Sequence, residues 1–308
     1  MVFLKSFVLL VLAALLGGQG GAAEWRWEGK VAVVTGASSG IGAATALALA
    51  DRGLTVVGLA RREDKIKELA ARTNGTIIAM KCDMLKEEEI VEVFRAIEKK
   101  LGGVDILINN KGVFSNNIFC VIPAGKTSDW IAVLKLNVIA LSIATREALK
   151  SMRTRGDDGH IININSLLGH QIPRFVGFDS GIYSPSKFAV TALTETVSHE
   201  LSALNSKIRV SSVSPGLVKT ELIEKIGEEY KAKNVTLAIA TMNIIESADI
   251  ADGIVYILST RPNVQVNKHF ICIYTNQNIF FYLFFFYLFF IFFFYFFFFI
   301  FFFFFLIK

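Results

Sequence analysis

Tyr183 and Lys187 stand four residues apart in Tyr183-Ser-Pro-Ser-Lys187, with Ser166 upstream. On a helix, positions i and i+4 share a face, so the phenol and the ammonium can approach one point. A phenol with a pKa of about 10 shuttles protons poorly at neutral pH. A neighbouring ammonium favours the phenolate and lowers that pKa. The pair could then give or take a proton near neutrality. Spacing alone favours a plainer explanation, a surface helix with an amphipathic Tyr and a solvated Lys. The chemistry therefore depends on the elements that bring other groups to the same place.

Those elements alternate. Val31–Val34 lies in a short apolar run suited to a buried parallel strand, and Thr35-Gly-Ala-Ser-Ser-Gly-Ile-Gly42 comes directly after it. An Ala-rich helix is expected over 41–50. A strand, a glycine-rich turn and a helix form the setting in which glycines let backbone approach a pyrophosphate. The candidates there are Gly36, Ser38, Ser39, Gly40, Ile41 and Gly42. The spacing is Gly-x-x-x-Gly-x-Gly, not Gly-x-Gly-x-x-Gly. A second strand, 54–59, runs into Ala60, Arg61 and Arg62. Many NAD sites carry an acid there for the ribose 2′-hydroxyl. Two cations suit a 2′-phosphate instead, which favours NADP over NAD.

Further strands are expected over 77–81, 104–108, 160–165 and 208–214, with helices over 86–101, 129–152, 183–204 and 247–258. The pattern predicts an α/β fold with a doubly wound parallel sheet, Rossmann-type, in a single domain spanning 24–266. Such sheets bind ligands at the carboxyl ends of their strands. The glycine turn, Arg61, Asp83, Asn109, Ser166 and Pro215 all come after strand ends, so one edge gathers the candidates. Residues 221–245, polar and irregular in pattern, suit a mobile flap.

Composition narrows the function classes. The 32 basic and 27 acidic residues are well mixed and leave a net charge of +5, too weak and dispersed for a nucleic-acid partner. Cys82, Cys120 and Cys272 form neither a disulfide framework nor a metal-ligand spacing, and the histidines form no metal motif. Mean hydropathy is +0.50, and the excess is local: 19 of the 28 Phe lie between Phe280 and Phe305. Residues 1–23 have the form of a signal peptide, with an uncleaved ER anchor or a mistaken start as alternatives. The apolar tail, 267–308, is long enough to span a bilayer. Its phenylalanine runs fit a translated non-coding tract better than a natural anchor. Either end, if real, allows membrane association.

Taken together, Thr35-Gly-x-x-x-Gly-x-Gly42, Asn109-Asn-x-Gly112, Asn137, Ser166, Tyr183-x-x-x-Lys187 and Pro215-Gly216 resemble the short-chain dehydrogenase/reductase family. Gly58-Leu-Ala-Arg-Arg62 and Asp158-Gly-His-Ile-Ile-Asn-Ile-Asn-Ser166 resemble its farnesol dehydrogenase-like, NADP-dependent branch. The resemblance implies hydride transfer between NADP(H) and an alcohol or carbonyl substrate. That substrate would be a small lipophilic alcohol, aldehyde or ketone, such as an isoprenoid alcohol or a ketosteroid. Tyr183 would be the general acid/base, Lys187 would lower its pKa and bind ribose hydroxyls, and Ser166 would hold the substrate oxygen. Asn137 would hold a water linking Lys187 to solvent. Asp83 would meet the adenine and Asn109 the adenosine side. Gly112, Pro215 and Gly216 complete the motifs, and Val218 and Thr220 would meet the carboxamide. A homodimer or homotetramer is implied, and a cytoplasmic location, against which the two apolar ends stand. Two departures bear on this: Lys111, where the family usually has Ala, and an altered chain end after Val266. They leave a catalytically impaired nucleotide-binding or membrane-tethered protein as the alternative.

Overall fold

The computed structural model describes residues 25–112, 125–172, 180–221, 223–224 and 244–272. The two apolar ends, Cys120 and most of the expected flap lie outside these residues. The chain divides into two units, Met1–Cys272 and Ile273–Lys308, and the first contains all the described elements.

Seven parallel strands form one sheet in the order β3-β2-β1-β4-β5-β6-β7. They are β1 (Val31–Thr35), β2 (Thr55–Ala60), β3 (Thr76–Lys81), β4 (Ile106–Asn109), β5 (Asp158–Ile164), β6 (Lys207–Pro215) and β7 (Lys268–Ile271). One ladder row shows why the register holds: Val57, Val33, Leu107, Ile161 and Val210 stand side by side across five strands. All five are buried. A slip of one residue would turn each of them to the other face. Consecutive residues in β1 are all buried because helices cover both faces, which is why the central strands read as unbroken apolar runs.

The helices are α1 (Gly40–Ala50), α2 (Glu63–Ala70), α3 (Glu87–Leu101), α4 (Thr127–Leu134), α5 (Leu141–Thr154), α6 (Tyr183–Ala203) and α7 (Ser247–Ser259). Ile90, Val93, Phe94 and Ile97 of α3 and Ala144, Ala148 and Met152 of α5 pack on the face that carries the row above. Between α4 and α5 the chain makes a wider π-helical turn, Lys135–Ala140, so the single helix expected over 129–152 is two α-helices joined through a bulge. The wider turn changes the facing of the residues in and beyond it, and Leu136 and Asn137 are both buried.

One expectation changes. Helix α2 has no counterpart among the helices expected from the sequence, because eight residues with only Ile66 and Leu69 buried give too short a period to see. The sheet continues past residue 266. Strand β7 pairs with β6 from Ser212↔Lys268 to Pro215↔Ile271 and closes the edge with the altered chain end.

Candidate functional site

The glycine turn joins β1 to α1 at the point where strand order reverses, with β2 on one side of β1 and β4 on the other. Gly36 has φ +71°, and its N–H donates to the Leu59 carbonyl at 2.8 Å. A Cβ on Gly42 would run into the Gly36 carbonyl and stand 2.5 Å from Asn110 Nδ2. Thus Gly36 serves the left-handed turn and Gly42 the close approach of two backbones. Ser39 precedes α1 in an extended conformation, and its side chain does not cap the helix. The first-turn N–H groups consequently keep no partner within the helix, and no acidic side chain stands in that turn to neutralise them.

Thr35 and Asn110 brace this turn, a role the sequence motifs contain but did not reveal. Thr35 Oγ1 accepts from the Asn110 and Lys111 N–H groups at 3.0 and 2.9 Å. Asn110 Nδ2 donates to the Thr35 carbonyl at 2.9 Å. Lys111 is half-buried, and its aliphatic stem lies over Gly36, with Cδ 3.2 Å from where a Cβ would be.

The two arginines after β2 diverge. Arg61 is exposed. Arg62 Nη2 reaches back to the turn, 3.3 Å from Ser38 Oγ and 3.2 Å from Ser39 Oγ, and pairs with Glu221 Oε2 at 2.8 Å. Thr220, just before Glu221, stands against Gly40, its Cγ2 2.9 Å from where a Cβ would be.

At the other end of the crevice, Tyr183 opens α6 and is buried with Lys187. Lys187 Nζ donates to the Ile164 carbonyl at 2.9 Å and lies 5.7 Å from the centre of the Tyr183 ring. Ser166 leaves β5 in an extended conformation, and its Oγ accepts from the Leu168 N–H at 3.1 Å. Asn137 Nδ2 donates to Ser186 Oγ at 3.0 Å, and Ser186 Oγ donates to the Tyr183 carbonyl. A Cβ on Gly112 would lie 3.4 Å from Asn137 Oδ1 and 3.7 Å from Lys187 Nζ, so these three residues line one space.

The electrostatics differ from expectation. Burial pushes the Tyr183 phenol up to about 12, and a hydrogen bond from Ser166 acts the other way. Burial pulls Lys187 down to about 8. The ammonium, held on the Ile164 carbonyl, does not bring the phenol towards neutrality. Desolvation penalises both charged forms and is the largest cause at each.

The remaining candidates occupy distinct places. Asp83 lies just beyond β3, where its Oδ1 accepts from the Leu85 N–H at 3.1 Å and its N–H donates to Glu89 Oε2. Asn109 is at the carboxyl end of β4, but its side chain turns into the core. Nδ2 donates to Thr145 Oγ1 and Asn163 Oδ1, and Asn163 continues to Thr194. With both amide hydrogens spent and the residue 3% exposed, the side chain fastens the sheet to α5 and α6 instead of facing an adenosine. Pro215 ends β6 against Ile271 of β7. The Gly216 N–H donates to the Ile271 carbonyl at 2.8 Å. Val218 is buried and bridges Ile245.

These residues fit a dinucleotide. The glycine cradle has no room for side chains, the α1 N-terminus offers N–H groups, and a guanidinium with two hydroxyls lies beside it. Among the described residues no group of His, Cys, Asp or Glu is arranged to hold a metal.

Comparison with known proteins agrees with this architecture. The family model described as short chain dehydrogenase matches residues 30–231. Dehydrogenase/reductase SDR family member 11 of Bos taurus is 45% identical over 250 residues, covering 78% of this chain and 94% of the relative. Farnesol dehydrogenase of Aedes aegypti is 44% identical over 248 residues, covering 79% and 95%. The crystal structure of a metagenomic short-chain oxidoreductase in complex with NADP superposes with a TM-score of 0.64 at 27% identity, covering 81% of this chain and 99% of that one. Sheet order, glycine turn and relatives agree, and the chain belongs to the short-chain dehydrogenase/reductase family of oxidoreductases.

Proposed function

We propose that the protein is an NADP(H)-dependent alcohol dehydrogenase or carbonyl reductase acting through Tyr183. The observation that carries this reading is the gathering of Ser166, Tyr183, Lys187 and Asn137 at one end of the crevice and the Arg62–Ser38–Ser39 cluster at the other. When bound, NADP(H) supplies or accepts the hydride. Gly36 and Gly42 let backbone close on the pyrophosphate, and Arg62 with the two serines takes the 2′-phosphate. The relative solved with NADP supports that choice of cofactor.

The chain's own residues handle the proton and the orientation. Ser166, held by Leu168 and in contact with the phenol, fixes where the substrate oxygen sits. Tyr183, protonated at neutral pH, donates its phenolic proton to that oxygen during reduction and receives it back in oxidation. Lys187 carries most of its charge at neutral pH and steadies the phenolate left after transfer. Asn137 Oδ1, facing the same space, accepts from a water that links Lys187 to solvent and carries the replacement proton. Leu167 lies close to Gly216 where β7 ends, giving the substrate an apolar wall. A small lipophilic alcohol, aldehyde or ketone fits it, and the likeness to a farnesol dehydrogenase supports an isoprenoid alcohol. A homodimer built on the long helices would cover Ile131, Ile139 and Phe188, which are exposed. The catalytic unit runs to the end of β7, and the apolar ends are extensions to it.

The test is Tyr183→Phe. Turnover of farnesal with NADPH should fall by about a hundredfold or more, the scale of a lost general acid. NADPH should still quench or enhance fluorescence with near wild-type affinity. Wild-type turnover in the variant would end this assignment.

A further inference from the structure

We propose that Glu221 is a built-in competitor for the cofactor's 2′-phosphate, and so sets how strongly the protein prefers NADPH to NADH. The inference rests on the NADP reading above and concerns a residue outside the machinery described there.

One nitrogen, Arg62 Nη2, has three neighbours: Ser38 Oγ at 3.3 Å, Ser39 Oγ at 3.2 Å and Glu221 Oε2 at 2.8 Å. A terminal guanidinium nitrogen carries two hydrogens, and a hydroxyl can turn to donate as well as accept. The cluster thus offers N–H and O–H donors around the point the carboxylate reaches. A phosphate on the 2′-oxygen of an adenosine lying along the glycine turn would need those donors. The backbone leads Glu221 there, because Thr220 packs against Gly40. Residues 220–221 thereby reach from the glycine turn to the arginine. Arg62, rather than Arg61, is the arginine tied to both the serines and the carboxylate.

The pair is also built to exchange. Both side chains are 46% exposed, so water already screens the attraction. A phosphate dianion brings more charge and three acceptor oxygens, which lets it displace a single carboxylate. The displaced carboxylate still opposes it by like-charge repulsion. A cofactor without the 2′-phosphate leaves the Arg62–Glu221 pair intact and meets no such competition.

Binding of adenosine 2′,5′-bisphosphate and of 5′-AMP, measured by calorimetry, tests this without turnover. Wild-type protein should prefer the bisphosphate. Glu221→Gln should tighten the bisphosphate by about two- to fivefold, the worth of an exposed ion pair, and leave AMP unchanged. In an Arg62→Met background the same substitution should have a smaller effect, because only the like-charge repulsion is left to relieve. A clear wild-type preference that Glu221→Gln leaves unchanged, or weakens, overturns the role of Glu221 alone. A wild-type protein that binds the two ligands alike removes the NADP reading and this inference with it.

Discussion

Lys187→Met should make the protein more stable at neutral pH while removing its activity. Lys187 is 6% exposed, and its Nζ has the Ile164 carbonyl as partner at 2.9 Å. Burial lowers its pKa from 10.5 to about 8. A fall of that size corresponds to about 3 kcal/mol of cost to the folded state at neutral pH. Methionine is unbranched, similar in length and uncharged, so it fills the same channel without that cost. The Ile164 carbonyl loses a charge-assisted partner, which returns about 1–2 kcal/mol. A net gain of about 1–2 kcal/mol remains, or roughly 2–8 °C in Tm for a domain of this size. The pH dependence separates this account from a packing effect. Below pH 8 the lysine is protonated in both folded and unfolded chains, and the full cost applies. Between about 8 and 10.5 the unfolded chain holds more protons than the folded one, so wild-type stability rises with pH. The gap between variant and wild type should therefore narrow steadily over that range. Tyr183, whose phenol burial pushes up to about 12, has the opposite effect above about pH 10, but it is present in both proteins. Urea unfolding at pH 7, 8, 9 and 9.5 measures the gap. A variant less stable than wild type at pH 7, or a gap that stays constant to pH 9.5, would overturn this account of Lys187. On the mechanism proposed above, the protein keeps a destabilising lysine because proton transfer at Tyr183 needs it.

Gly42→Ala drives a Cβ into the Gly36 carbonyl and Asn110 Nδ2. It should cost about 1–3 kcal/mol of stability and weaken NADPH in the same variant, read by thermal melting and fluorescence titration; unchanged affinity would contradict the cradle. His160 is fully buried, with Nε2 on Ser211 Oγ at 2.8 Å. Burial first, then the charges of Arg209 and Arg26, hold it well below 6.5. Below about pH 6.5 the unfolded chain takes a proton that the folded chain refuses, so stability is lost as pH falls, by about 1.4 kcal/mol per pH unit. His160→Gln keeps a polar partner for Ser211 and should flatten the acid limb of a stability–pH curve. An unaltered acid slope would rule the histidine out as its source.

The amino-acid order alone determined the scaffold. Uninterrupted apolar runs make buried parallel strands, and β1, β2, β4, β5 and β6 lie within a residue or two of where those runs predict them. Glycine spacing after β1 is legible locally, in the left-handed φ of Gly36 and the nearness of its carbonyl to Gly42. Tyr183 and Lys187 share a helix face by local periodicity. The features that chain order could not show depend on groups distant in sequence. Asn109 sits at a strand end like the other candidates, yet Thr145 and Asn163, 36 and 54 residues away, draw its amide into the core. Arg61 and Arg62 are alike as sequence, and only the serines of the turn and Glu221, 159 residues on, tell them apart. Asn137 is buried within a π-turn, which no side-chain period reveals. The proton affinity of Tyr183 also depends on more than its neighbour Lys187. A charge at i+4 is written in the sequence, whereas the loss of water around both groups exists only once the sheet and helices have closed over them.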